Sequence, residues 1–461
     1  MALMTGACSD VSEAIGQTPI VRLNRVSAGL KADIYCKLGY LNPGGSVKDR
    51  IALNIINEAE KRGELKPGGT IVEATSGNTG MGLAMVGALR GYKCIFVLPD
   101  KQSMEKVKAL RAAGAKVVIT PTDVEPDDPR SYYSVSRRIA DETPGAFYAN
   151  QYHNLDNTEA HYRSTGPEIW AQTGGEIDVF VSGLGTGGTI SGTGTFLKEH
   201  KPDIKLVGVD IEGSVYYDFW RTGKIIEPYS YKVEGIGEDF FPSTINLSLV
   251  DDVIQLTDKE CFDMTRALAR QEGIYTGGSG GAAVMGAIKY AEKTNKKENI
   301  VVLLPDSAVR YLNKIFDDEW MRENGFLDPE DGLGTIRDLL AHKPAKVFTV
   351  SKQDKIRDVI DLMKTQGISQ VPVLNDGHLI GLVNESALLS QLLETGMDSL
   401  DAKVEIVVSD AYEVADPDAP VGLFNHIFGQ GKVVIVWERG EVRGLITQID
   451  VIDFLAHRRV R

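Results

Sequence analysis

Short runs of β-branched and apolar residues punctuate the chain, each leading into a stretch with helical patterning: Thr70–Val72, Cys94–Leu98, Val117–Ile119, Val179–Val181, Lys205–Asp210 and Ile300–Leu304. This alternation marks an α/β protein. The runs are largely apolar rather than alternating, which suits strands covered by helices on both faces, and hence open, largely parallel sheets. A chain of 461 residues exceeds what one core ordinarily holds, so a large unit with a smaller companion is expected.

Charge and cysteine usage remove several classes of function. Fifty Lys and Arg against 64 Asp and Glu give a formal charge of −14, which repels a phosphate backbone, so no nucleic-acid partner is expected. Cys8, Cys36, Cys94 and Cys261 lie far apart and form no CxxC pair. They suggest neither a zinc site nor a disulfide framework, and no metal is assigned. No stretch approaches the roughly 20 apolar residues that span a bilayer. The opening Met1–Asp10 lacks the basic and apolar regions of a signal peptide. A cytoplasmic protein without a membrane partner is the expectation.

The character of the chain changes at Asp328–Gly334, where acidic residues mix with helix breakers. The expected organisation is a first domain over 1–327, a linker over 328–343 and a second domain over 344–461. That second domain contains an internal repeat, with copies near 344–397 and 404–461. In the first copy Val371–Leu374 passes through Asn375–Gly377 into Leu379–Val383 and a helical run Glu385–Leu393. In the second, Val433–Val436 passes through Arg439 and Gly440 into Val442–Ile446 and then Asp450–His457. Gly381 and Gly444 are equivalent. Each copy is a β-hairpin plus helix, too small to bury its own apolar face, so the two are expected to pack together as an α+β module.

Three polar, glycine-rich segments sit where chemistry is expected. Asn42–Arg50 is a turn before an amphipathic helix expected over Ile51–Lys61, with Ser46 as its cap and Lys48 in its first turn. The partial positive charge of a helix N-terminus lowers a lysine's pKa and favours the neutral amine that a Schiff base needs. Thr75–Gly80 lies between a strand and the helical run Met81–Leu89, an arrangement that holds a carboxylate or phosphate. Ser182–Thr189 repeats the arrangement before Ile190–His200. It also satisfies GxGxxG through Gly183, Gly185 and Gly188, with Asp210 and Glu212 beyond, so a dehydrogenase remains an open reading. Against it, several βα units precede this one, whereas a dinucleotide fingerprint belongs to the first. Thr186 and Thr189 add hydroxyls suited to a phosphate monoester.

Jointly these motifs resemble the fold-type II pyridoxal-phosphate enzymes, in the group of cystathionine β-synthase and cysteine synthase. The resemblance implies that Lys48 carries the cofactor as a Schiff base, that Asn78 faces the ring's 3′ oxygen, and that Gly185, Thr186, Gly187, Gly188 and Thr189 bind its phosphate. It implies that Thr75, Ser76 and Thr79, with Gln151 of the Gln151–Tyr152 pair, hold the substrate carboxylate. It also implies that Ser279, in Thr276–Gly281, faces the pyridine nitrogen. A neutral hydroxyl there makes the ring a weaker electron sink than an aspartate would, which favours prompt loss of a β-substituent. The implied reaction is β-replacement: L-serine with L-homocysteine to give cystathionine and water, or sulfide with serine or O-acetylserine to give cysteine.

The resemblance runs from Ile15–Pro19 to the C-terminus, and the tail resembles the tandem regulatory domains named after cystathionine β-synthase. Glu234–Gly237 with Asp239 and Phe240 also looks like that enzyme, although Glu238 stands where animal forms carry Tyr. Animal forms ligate haem through an N-terminal extension. Here ten residues precede the core and the first histidine is His153, so no haem is expected. Thr447–Asp450 matches the pattern that grips a nucleotide, whereas Asn384–Ala387 lacks the aspartate. One regulatory site is therefore expected, from Thr447 and Asp450 with Ser369, Gln370 and Val371 of the 367–371 segment, and S-adenosylmethionine is the ligand the family suggests. A purely structural or dimer-forming tail is the alternative. The family implies a homodimer or larger homo-oligomer.

Overall fold

The computed structural model describes residues 4–457 except 76, 101, 103, 123, 125–127, 328–332, 343–346, 376 and 439. The chain divides into two compact units, Met1–Asp317 and Asp318–Arg461.

In the first unit the strands are β1 (Ile20–Arg22), β2 (Asp33–Leu38), β3 (Thr70–Ala74), β4 (Lys93–Pro99), β5 (Lys116–Thr120), β6 (Ala146–Tyr148), β7 (Val179–Gly183), β8 (Lys205–Ile211), β9 (Asp252–Leu256) and β10 (Asn299–Leu304). They form two sheets, β1-β2-β10-β7-β8-β9 and β5-β4-β3-β6. Every pair is parallel except β1 with β2. Burial follows from that topology: β3 is buried at every residue, and β8 and β10 at all but their first. The sequence reading found six of these strands and missed β1, β2, β6 and β9; Asp33 and Lys37 disguise β2.

The helices that frame the sheets' open ends are α1 (Lys48–Lys61), α2 (Asn78–Arg90), α3 (Gly166–Thr173), α4 (Gly188–His200) and α5 (Gly278–Thr294). α1 buries Ile51, Ala52, Ile55, Ile56 and Ala59, one stripe of its surface, in a core shared with Leu83 and Val86 of α2 and Phe96 of β4. Three helices begin earlier than the apolar patterning implied: α1 at Lys48, α2 at Asn78 and α4 at Gly188. The cap of α1 is Val47 rather than Ser46, whose hydroxyl accepts from the Lys48 N–H at 3.2 Å. Polar residues and glycines hid these first turns, so several residues read as loop belong to helix starts, where unpaired N–H groups concentrate.

An ionic knot fastens α1 in place. Glu168 of α3 accepts from Lys37 Nζ of β2 at 2.8 Å and from Arg50 Nη1 and Nη2 of α1 at 2.6 and 2.7 Å. All three side chains are buried.

The second unit contains β11 (Val350–Ser351), β12 (Gln370–Asn375), β13 (His378–Asn384), β14 (Tyr412–Ala415), β15 (Val433–Glu438) and β16 (Glu441–Ile446). They make two sheets of the same design, β11-β12-β13 and β14-β15-β16, each a parallel pair joined to a hairpin. Gly381 and Gly444 hold the same register opposite Val373 and Val436, beside a shift in the pairing. A methyl at either would collide with a packed side chain, Val408 or Leu340. Its longest helices among the described residues are α6 (Ile336–His342), α7 (Ile356–Gln366), α8 (Glu385–Thr395) and α9 (Gln448–His457).

α6 corrects the expected linker over 328–343. Its Ile336 and Leu339 are fully buried against Val434, Val436 and Phe454, so this helix belongs to the second repeat's core. The acidic, breaker-rich Asp328–Gly334 masked a short amphipathic helix that follows it. Residues 328–332 and 343 of that span lie outside the described residues.

Candidate active site

In parallel sheets the C-terminal strand ends and the helix N-termini that follow them face the same side, where such folds hold ligands. Here the junction before α1, the β3–α2 and β7–α4 junctions and the first turn of α5 converge. Lys48, Asn78, Gly185, Thr186, Gly187, Thr189 and Ser279 all line one cavity, with Gly235 and Pro305.

Lys48 is partly buried, and its Nζ donates to Thr186 Oγ1 at 3.4 Å. Burial pushes its pKa down to about 8, against the opposing pull of Glu238 and Asp306. The lowered pKa expected from the helix N-terminus is therefore present, with desolvation as its main cause.

The loop after β7 is held from behind. Tyr216 donates to the Gly185 carbonyl at 2.7 Å, Thr244 to that of Thr186 at 2.5 Å, and Asn157 Nδ2 to Thr186 Oγ1 at 3.2 Å. Thr189 Oγ1 lies 3.2 Å from His161 Nε2, and burial keeps that imidazole neutral by pushing its pKa well below the usual value. Gly187 has φ +83°, and a side chain there would strike Ile245. These contacts fix the backbone and leave the first amides of α4 for an anion.

Across the cavity Asn78 Nδ2 donates to Asp306 Oδ2 at 2.8 Å, which also accepts from Tyr311 at 2.6 Å. Asn78 Oδ1 and Asp306 Oδ1 are buried without a hydrogen-bond partner among the described residues. Ser279, also buried, sits in the first turn of α5.

The residues expected to hold a substrate carboxylate are placed differently. Thr75 Oγ1 accepts from the N–H groups of Gly77 and Gly80, capping α2. Thr79 donates to Gln151 Oε1 at 2.6 Å, and Gln151 Nε2 to the Ala74 carbonyl at 3.0 Å. Ser76 lies outside the described residues. Tyr152 and Glu238 line a second, larger cavity of about 660 Å³ with Tyr132, Tyr133 and Asp239, and Gly235 borders both cavities. Buried Glu234, bridged by Lys106 at 2.5 Å and Lys314 at 2.7 Å, anchors the 234–239 segment between them.

Residues 11–306 match the pyridoxal-phosphate dependent enzyme family, and residues 332–394 match the CBS domain. The chain is 38% identical over 471 residues to the cystathionine β-synthase of Oryctolagus cuniculus, covering 97% of this chain and 85% of that one. The chain belongs to the cystathionine β-synthase family. Among solved structures, the family member resembles an O-acetylserine-dependent cystathionine β-synthase from Helicobacter pylori, with 37% identity, TM-score 0.62, and 67% of this chain and 98% of that one covered. A hydrogen sulfide-producing enzyme from Fusobacterium nucleatum aligns equally well, with 37% identity, TM-score 0.62, and 66% and 100% covered. The dehydrogenase reading of Gly183–Gly188 falls with this assignment.

The cavity's polar groups fit pyridoxal phosphate, the cofactor of this family. An amine of lowered pKa suits its aldehyde, α4's amides and two threonines suit its phosphate, and the unpartnered Asn78 Oδ1 shows an amide edge left for a ring substituent. Sequence reasoning missed Asp306, Asn157, His161 and Thr244, which position these groups. One signal pointed to Asp306: it follows the apolar run Ile300–Leu304, at the C-terminal end of a parallel strand.

In the second unit, Ser369, Gln370, Thr447 and Asp450 line a cleft of about 320 Å³ with Gly367 and Arg443. Val371 corrects the expectation: it is fully buried in the first repeat's core, because successive residues of β12 face opposite ways and Gln370 and Pro372 take the cleft side. Asp450 Oδ2 accepts from the N–H and hydroxyl of Thr447 at 2.8 and 2.6 Å. In the first repeat Asn384 caps its own helix instead, accepting from Ala387 N–H at 2.8 Å.

Proposed function

We propose that the enzyme replaces the β-hydroxyl of L-serine with the thiol of L-homocysteine, giving L-cystathionine and water. The observation that carries this reading is the convergence of Lys48, Asn78, the Gly185–Thr189 segment and Ser279 on one cavity. Bound pyridoxal phosphate supplies an electron sink for the substrate's α-carbon. Lys48, with a pKa near 8, holds the cofactor and, once released, takes the α-proton and returns a proton to the departing hydroxyl. Gly185, Thr186, Gly187, Gly188 and Thr189 hold the phosphate. Asn78, positioned by Asp306, would orient the ring, and Ser279 would offer the pyridine nitrogen a neutral hydroxyl. Thr75 and Thr79 at the start of α2, with Ser76 and Gln151, hold the amino acid's carboxylate. Tyr152 and Glu238 border the space from which the thiol arrives.

A second reading, sulfide with serine or O-acetylserine giving cysteine, draws support from the two structural neighbours, one O-acetylserine dependent and one hydrogen sulfide producing. Serine supplied with equal homocysteine and sulfide separates the two readings by the mass of the product. Cystathionine is expected to dominate, and predominant cysteine overturns the first reading. Borohydride treatment of the loaded enzyme is expected to fix a pyridoxyl group on Lys48, and a different labelled residue removes Lys48 from its role.

The cleft at Ser369, Gln370, Thr447 and Asp450 is proposed to take one S-adenosylmethionine per chain. Calorimetry on the wild type and T447A tests it. Sedimentation tests the homodimer that the family suggests.

A further inference from the structure

The proposed chemistry uses none of the histidines of the second unit, and two of them meet. His342 ends α6, while Asp453 and His457 stand four residues apart on α9 and share one helix face. One ring nitrogen of each histidine and one Asp453 carboxylate oxygen all lie within 4.8 Å of one another. His342 Nε2 is 3.7 Å from Asp453 Oδ2, and His457 Nδ1 is 3.2 Å from Asp453 Oδ1.

The two rings lie side by side. His342 lies edge-on to the buried ring of Phe454 at 6.0 Å, and its centroid is 5.3 Å from that of His457. His457 Nδ1 is also 2.8 Å from the backbone carbonyl of Asp453, a contact that ligation through this nitrogen would replace.

We propose that His342, Asp453 and His457 bind one divalent transition-metal ion of the zinc class, clamping α6 to α9. Two imidazoles and a carboxylate suit zinc, cobalt, nickel or copper, whereas magnesium and calcium require all-oxygen shells. Tetrahedral bonds of about 2.0–2.1 Å set ligand atoms about 3.3 Å apart, a spacing the two Asp453 contacts already approach. The histidine pair closes the remainder by rotation, which exposed side chains are free to make. Three protein ligands leave room for water. The cysteine spacing gave no hint of such a site, because its ligands come together only when α6 packs beside α9. Metal occupancy would stabilise the second repeat, whose core α6 completes through Ile336 and Leu339.

The test uses the full-length, pyridoxal-phosphate-loaded enzyme, freed of adventitious metal by a chelator and titrated with zinc alone in a calorimeter and with cobalt alone in a spectrophotometer. The wild type is expected to bind one zinc per chain at a micromolar dissociation constant, to show the visible absorption of low-coordinate cobalt, and to melt at higher temperature with zinc. H342A, H457A and D453N are expected to weaken zinc binding by roughly tenfold or more and to lose the cobalt absorption. An unchanged circular dichroism spectrum and an unchanged melting temperature without metal confirm that each variant is folded. Equal zinc affinity in the wild type and the H342A/H457A double variant, or a wild-type dissociation constant in the millimolar range, overturns the proposal.

Discussion

Glu168→Gln preserves the shape of the side chain while leaving Lys37 and Arg50 buried without their counter-charge. Breaking a buried ion pair from one side costs about 3–5 kcal/mol. Titration gives a similar figure. Burial opposes ionisation of Glu168, yet the hydrogen bonds and charge of Arg50, helped by Lys37, hold its carboxyl at about 2 against an ordinary 4.5. That lowering of about 2.5, at about 1.36 kcal/mol per unit, corresponds to about 3.4 kcal/mol. Burial already pushes the Lys37 ammonium below its usual pKa, so without Glu168 it sheds its proton readily and the loss stays near 3 kcal/mol, by order of magnitude. A depressed carboxyl stabilises fully above its unfolded pKa, and that contribution fades as pH falls from about 4.5 toward 2. Calorimetric scans of the loaded enzyme are expected to show the first unit of the variant melting roughly 6 °C lower at pH 7. The gap should shrink by about half by pH 3. A shift under about 2 °C at pH 7, or a gap undiminished at pH 3, refutes the reasoning. Because Arg50 rides on the helix that begins at Lys48, the variant should also lose cofactor more readily.

Three further outcomes follow from named contacts. Glu238 holds the Lys48 pKa up, so E238Q lowers it, and the rate at which pyridoxal phosphate reloads the apoenzyme should begin its acid-side fall at lower pH; an unmoved or raised midpoint contradicts this. G187A sets a methyl against Ile245 at a left-handed position and is expected to weaken cofactor binding by at least roughly tenfold in an absorbance titration, with the secondary structure intact. L339A empties part of the second repeat's core and should destabilise that unit by about 2–5 kcal/mol in denaturant titrations while turnover at the distinct active site persists.

What the sequence revealed depended on how locally each signal is encoded. The apolar runs announced β3, β4, β5, β7, β8 and β10, because strands covered on both faces need no polar alternation. The lining of the Lys48 cavity was legible where neighbouring residues of one segment supply it, as in Gly185–Thr189. Asp306 and His161 were not, because their meaning lies in partners on other elements, Asn78 and Thr189. Thr75 carries a local duty that a motif does not reveal, since its hydroxyl accepts from the N–H groups of Gly77 and Gly80. The cause assigned to the lowered Lys48 pKa shifted likewise, since helix position is visible in sequence and burial is not.

The pairing of β2 with β10 has a consequence for how this enzyme is made. On its β10 side Asp33 has Asn299 as its strand partner, and β2 is the strand that precedes the Lys48 helix. A ribosome adding about 5–20 residues per second needs roughly 13–50 s to travel between them. Throughout that interval the nascent chain carries an unpaired hydrogen-bonding edge and an unfinished cofactor pocket. Pyridoxal phosphate therefore cannot be captured early in synthesis, and the emerging polypeptide must be shielded from aggregation until almost the whole first unit has been translated.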